Sequence, residues 1–217
     1  MDETCSFSNL CCIYDGDYGD ITGTVVETNE IFVHENYNKG LDWDFCLAKV
    51  DKINIDGTTV KPVKFPDAHV LPSIVTEGET STATKCWVMG WGETESGFQS
   101  ATLLAARVEI MSDRYCKALG GRYSRVDSAF EFCAGKRPNL SIFLNEDSCS
   151  GDSGAPLVCE HGENFIQYGI VSRGGKRCGV KYEPGVYSKV ASVRPWIKEI
   201  TGMENLKFVE LLYETSI

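Results

Sequence analysis

The chain has 217 residues, 42% of them hydrophobic and 24% charged, an ordinary globular composition that excludes a disordered chain. Its net charge of −10 argues against nucleic acid or an anionic membrane as partner, since both would be repelled, and mildly favours cationic ligands. No run is long or apolar enough to span a bilayer, and the length accommodates one large all-β domain or two small ones.

The start, Met1-Asp-Glu-Thr-Cys5, has neither the basic residues nor the apolar run of a signal peptide. Yet the ten cysteines, at 5, 11, 12, 46, 86, 116, 133, 149, 159 and 178, lack the paired spacing of a zinc site and read as the disulfide framework of an oxidising compartment. Secretory chemistry without a secretory start leads to the expectation that the chain lacks its beginning. Asn139-Leu140-Ser141 adds a glycosylation acceptor.

Short β-branched and aromatic runs, divided by Gly, Asp, Asn and Ser, predict an all-β chain. In chain order the expected strands are Gly23–Val26, Glu30–His34, Phe45–Val50, Lys85–Gly90, Thr102–Ile110, Ala155–Cys159, Ile166–Ser172 and Gly185–Lys189. Asp51–Thr84, holding Pro62, Pro66 and Pro72, reads as an extended connector between two halves. Ser112 as N-cap starts a short helix to Ala118; Val193–Thr201, with Pro195 near its start and Gly202 as its stop, is a second. The tail Met203–Ile217 carries Leu206, Val209 and Tyr213 at helical spacing and reads equally as a helix or a frayed appendage.

Chemistry concentrates in Glu146-Asp-Ser-Cys-Ser-Gly-Asp-Ser-Gly-Ala155. A serine between glycines is the pattern of an acyl-transfer nucleophile: glycine lets backbone N–H groups converge where an oxyanion forms. Ala155 breaks the GxSxG pattern of the α/β-hydrolases. Alone, such a stretch is equally a loop without chemistry. It is joined by Gly90-Trp-Gly92, by Phe132-Cys-Ala-Gly135, by Pro184-Gly-Val-Tyr187, by Asp42-Trp-Asp-Phe-Cys46 upstream and by Trp196-Ile197 near the end.

In this order the motifs, over about residues 13 to 200, resemble the chymotrypsin/trypsin family of serine proteases. The resemblance implies two antiparallel six-stranded barrels with the site in the cleft between them. Here the first barrel is expected to be truncated: residues 1–202 form the protease domain, with 1–70 a partial N-terminal barrel, 71–202 the C-terminal barrel and closing helix, and 203–217 a tail. It also implies a serine endopeptidase that cleaves after Arg or Lys through an acyl-enzyme, made as a zymogen, extracellular or secreted, with no cofactor and no metal. Its partners are then protein or peptide substrates, with protein inhibitors as further candidates, and neither nucleic acid nor membrane.

Carried over residue by residue, Ser153 matches the nucleophile, and the N–H groups of Gly151 and Ser153 match the oxyanion hole. Asp44 matches the carboxylate that orients the histidine, with Asp42 off the aligned position. Asp152 matches the partner of a new N-terminus, and Asp147 the carboxylate at the base of a specificity pocket walled by Gly174 and Gly185. Ser172 and Arg173 line the groove. Arg173 stands where the family usually has tryptophan, and is expected either to bring a cation near Asp147 and compete with basic substrates or to point to solvent. The resemblance further implies the bridges Cys86–Cys159, Cys116–Cys133 and Cys149–Cys178. Cys5, Cys11 and Cys12 stay unassigned, and Cys46 is expected as a buried free thiol.

The histidines are the departure. His34 lies only ten positions before Asp44, whereas the family template separates base and aspartate by about 45, and its stretch resembles one whose histidine is surface-exposed. His69 follows the aspartate in the connector, and His161 sits in a polar turn. None fills the role of base. Either Cys5 matches the cysteine after that histidine, with Thr4 in the histidine's place, or the base lies on sequence not present. The expectation is an incomplete domain, inactive as it stands; the alternative is a non-catalytic protease homolog acting as a binding or regulatory module. A loop at Lys136–Glu146 longer than the family's, and an acidic turn at Asp15–Asp20 near a calcium loop of some members, complete the departures.

Overall fold

The structure, a computed structural model, describes residues 10–13, 24–38, 42–51, 53, 57, 61–67, 71–72, 84–136, 147–174, 178–180 and 183–203, with only the backbone course of 10–13 and 24–26. His69, the sequon at Asn139, most of the 136–146 loop, the acidic turn and the tail beyond Met203 lie outside these residues.

Six strands close into a barrel: β4 (Cys86–Gly90), β5 (Leu104–Ile110), β6 (Glu131–Gly135), β7 (Pro156–His161), β8 (Asn164–Arg173) and β9 (Gly185–Lys189). Every pairing is antiparallel, in the order β4-β5-β6-β9-β8-β7. Alternate residues fill its interior: Cys86 and Val88, Val108 and Ile110, Phe132 and Ala134, Leu157 and Cys159, with Tyr168, Val171 and Tyr187. Closure leaves these strands without a free edge. A second apolar layer, Met111, Cys116, Tyr123, Val126, Cys133 and Val186, covers the outside of β6 and β9 beneath α1 (Asp113–Ala118) and a 3-10 turn at Gly121–Arg125. Both faces of β6 and β9 are therefore buried. β6, with one aromatic and no β-branched residue in Glu-Phe-Cys-Ala-Gly, was not among the expected strands.

Ahead of the barrel, β1 (Leu10–Ile13), β2 (Thr24–Val33) and β3 (Cys46–Val50) form an antiparallel three-stranded sheet. Two expected strands, Gly23–Val26 and Glu30–His34, are one strand here. The polar Glu27-Thr28-Asn29 between them carries a register irregularity between Thr28 and Glu30, not a break, and Asn29 Nδ2 donates to Asp51 Oδ1 at 2.7 Å. The sheet rests on α2 (Arg194–Thr201): Phe45, Val193, Trp196 and Ile197 are buried together, with Phe32, Trp43, Leu47, Phe65 and Ile170 packed around them. Of the connector, Lys64 bridges to Ile166 in parallel and Pro66 O accepts from Arg194 Nη1 at 2.6 Å.

Both helices fall where their caps put them. Ser112 Oγ accepts from the Tyr115 N–H at 3.2 Å, and Gly202, at φ 69°, ends α2 with its N–H on Lys198 O. The bridges Cys86–Cys159, Cys116–Cys133 and Cys149–Cys178 are formed. Cys46 is also disulfide-bonded, which corrects its expected free thiol; its partner lies outside the described side chains.

Candidate active site

The end of β8 gathers the site. Gly154 N–H donates to Val171 O at 2.9 Å, and Val171 N–H to Ala155 O at 2.9 Å, so the loop carrying Ser153 is bound to this strand. One residue on, Ser172 Oγ donates to Asp44 Oδ2 at 2.7 Å. Ser153 and Asp44, one from the barrel and one from the sheet side, are thus both tied to Val171–Ser172. Asp44 is the middle residue of a tight turn in which Phe45 N–H reaches Trp43 O at 2.8 Å, with Trp43 left-handed at φ 53°. Burial raises the Asp44 pKa; the Ser172 hydroxyl and the Arg173 charge pull it back down, and the Glu131 charge adds to the rise. Asp42 is turned away, accepting from Asn38 Nδ2 at 2.8 Å.

Around Ser153 the backbone takes its form from glycines: Gly151 has φ 96° and Gly154 φ 85°. Ser153 is exposed between them. Asp152 anchors the loop from beneath, its Oδ1 accepting from Gly92 N–H at 2.8 Å and its Oδ2 from Cys149 N–H at 2.9 Å. A Cβ at Gly90 would lie 2.0 Å from Asp152 Oδ1, and one at Gly92 2.5 Å from Oδ2, so Gly90-Trp-Gly92 is small where this carboxylate docks.

Asp147 follows the same loop. Burial pushes its pKa up to about 7, against the Ser148 and Gly179 N–H groups that favour the anion, with the Asp152 charge adding to the rise. Ser148 N–H donates to Asp147 Oδ1 at 2.8 Å, and Ser148 Oγ lies 3.1 Å from the buried Tyr187 hydroxyl. A Cβ at Gly185 would fall 2.9 Å from the Tyr187 ring and 3.2 Å from Ser148 Oγ, so only glycine fits beside this pair. A Cβ at Gly174 would meet nothing within 4 Å: that glycine borders open space.

Two expectations are corrected. His34 is not surface-exposed but 5% exposed, stacked on Trp43 with ring centroids 4.8 Å apart and tilted against Trp196 at 4.9 Å. Its Nδ1 accepts from Asn36 N–H at 3.2 Å, and burial lowers its pKa against the opposing pull of Glu35. A neutral imidazole is a flat, mostly apolar ring, and the sheet–helix interface uses it as one. Arg173 neither points to solvent nor spends its charge on Asp147. It makes a bidentate ion pair with Glu131, through Nη1 to Oε1 and through Nη2 to Oε2 at 2.9 Å. Glu131 was not among the expected site residues. Its signal was there: an acid between Phe130 and Phe132 in an apolar run demands a partner once buried. Among the described histidines, His161 is exposed at the β7–β8 turn, and neither it nor His34 is bonded to Asp44.

The family model described as Trypsin matches residues 15–197. Ovochymase of Halocynthia roretzi is 34% identical over 200 residues, which are 88% of this chain; the chain spans only 12% of that protein's length. The structure of neuropsin, a serine protease expressed in the limbic system of mouse brain, matches 82% of this chain and 72% of its own at a TM-score of 0.65 and 28% identity.

Proposed function

The chain belongs to the trypsin family of serine proteases, and on that premise we propose that its cleft takes peptides with Arg or Lys before the scissile bond. Asp147 receives the basic side chain, Ser153 is the nucleophile, and the N–H groups of Gly151 and Ser153 form the oxyanion hole. In that reaction Ser153 Oγ bonds to the carbonyl carbon as its proton passes to a base. The carbonyl oxygen takes up the negative charge, the C–N bond breaks, and the amine leaves with the proton. Water then hydrolyses the acyl-enzyme. Asp44 orients the base.

The single observation that carries this reading is the bond from Ser172 Oγ to Asp44, one residue beyond the strand position that holds the Ser153 loop. A desolvated Asp147 supports the basic specificity, because an arriving cation restores the charge that burial resists. The disulfides support an oxidising, extracellular setting, and no described helix is long and apolar enough to cross a membrane.

Of the described histidines, His34 is buried among rings and His161 lies exposed at the β7–β8 turn, and neither is bonded to Asp44, so this chain is expected to bind better than it cleaves. That same observation favours the second reading, a non-catalytic homolog that binds peptides in the cleft.

Benzamidine binding tests the pocket. Only ionised Asp147 holds the amidinium, so affinity should rise about tenfold per pH unit up to about 7 and then level. Asp147→Asn should weaken binding and remove the slope. PH-independent binding that survives this substitution overturns the pocket assignment. Rapid hydrolysis of an Arg-amide by the chain, abolished by Ser153→Ala, would refute the expected lack of turnover.

A further inference from the structure

The pair Arg173–Glu131 has no apolar character to offer a substrate, and its donors and acceptors are unequally spent. Glu131 is 1% exposed; both of its oxygens face Arg173, and Oε2 also accepts from Asp127 N–H at 3.2 Å. Buried this deeply, Glu131 offers no acceptor to a ligand. A guanidinium has five N–H groups. The Arg173 side chain keeps 18% of its surface exposed where the acid keeps 1%, and Glu131 takes only two of its N–H groups. The neighbouring carboxylate, Asp44, is hydrogen-bonded to Ser172.

A second arginine reaches the backbone of the next residue along the strand edge. Arg122, exposed on the 3-10 turn after α1, donates from Nη1 to Gly174 O at 2.6 Å. Ser172-Arg173-Gly174 therefore leads from Asp44 past two arginines, and Gly174 borders open space.

We infer that this strand edge selects peptides carrying a carboxylate side chain shortly before their basic residue. The inference rests on the reading of the cleft as a peptide groove. Partial exposure limits each contact to the strength of a surface ion pair, so the preference is modest.

The test uses the whole chain and acetylated tripeptide amides X-Gly-Arg, with X as Glu, Gln or Leu, and the same three ending in norleucine. Benzamidine binding is measured in parallel. The Glu peptide should bind about fivefold tighter than the Leu peptide at low salt, with Gln between them. Removing Arg173 alone would strand a buried carboxylate, so both partners are replaced, Arg173→Trp with Glu131→Met. That double variant should cut the Glu preference to about twofold, the share left to Arg122. If it fails to fold, Arg122→Gln, at an exposed site, should lower the preference about twofold. Intact benzamidine binding with equal affinity for Glu and Leu overturns the inference alone, as does a Glu preference untouched by these variants. Lost benzamidine binding with the Glu preference retained refutes the Asp147 pocket and supports the inference. Binding of neither probe overturns both.

Discussion

The barrel and the three-stranded sheet are both antiparallel β, yet they are held together in opposite ways. The barrel closes on itself, packs its own interior and carries three disulfides. Among the described residues the sheet has three strands and no closure, with Ile31 and Val33 of β2 exposed, and its buried residues belong to a cluster shared with α2. Between them run stacked rings: His34 on Trp43, and Trp43 on Phe130 at 4.8 Å, with Trp196 against His34. Asp44 sits inside this clamp, next to Trp43 and Phe45. The barrel can therefore hold the Ser153 loop unaided, whereas Asp44 leans on the ring clamp together with its bond from Ser172 and the disulfide at Cys46.

The strongest way to break that contrast is Trp196→Ala. Truncating a buried aromatic costs about 3–5 kcal/mol, and here the loss falls on the clamp. Hydrogen exchange should quicken through residues 28–50 while β6 to β9 stay protected, as expected of regions of unequal local stability. Equal loss of protection in both regions would mean that they unfold as one unit and that the contrast is false.

What could be read from the sequence follows the same division. The barrel's strands β4, β5, β7, β8 and β9 were legible because β-branched and aromatic runs stand between turn residues, and both helices because Ser112, Pro195 and Gly202 mark their ends. Strand β6 was not: Glu-Phe-Cys-Ala-Gly holds one aromatic and no β-branched residue, whereas the equally buried β9 has Val186 and Tyr187. Motif order gave Asp44, Ser153, Asp147 and Ser172 as site candidates, but could not say where Arg173 would send its charge. That depended on Glu131, far along the chain and adjacent only across β9. His34 was misread for a related reason: its neighbours in sequence, Glu35 and Asn36, are exposed, and the rings that bury it come from Trp43 and Trp196.

His34 also makes the contrast depend on pH. From the packed elements it faces Trp43, Phe45 and Trp196, all uncharged, and the Asn36 N–H; Glu35, 3.9 Å from Nδ1, is the charged group beside it. Its folded pKa lies below the ordinary 6.5, so the unfolded chain binds the proton more readily. The stability that His34 contributes is complete above about 6.5 and is lost as pH falls through the lower folded value. Acid should thus loosen the sheet before the barrel. His34→Phe keeps the stack without a titrating nitrogen and should flatten the acid limb of the Tm profile. An unchanged limb would mean that the clamp does not sense protons.

The smallest effect sharpens the comparison from the barrel's side. Helix α1 has only six residues, and its first turn leans on one side-chain cap, the Ser112 hydroxyl accepting from Tyr115 N–H. Ser112→Ala should cost about 1 kcal/mol. Because α1 brings Cys116 into the layer over β6 and β9, that loss belongs to the barrel, and exchange in β2 and β3 should stay as it was. Thermal melts of the variant, followed by hydrogen exchange, check both points. A cap loss that loosens β2 and β3 as much as α1 would show that the sheet draws its stability from the barrel's outer layer as well as from the ring clamp.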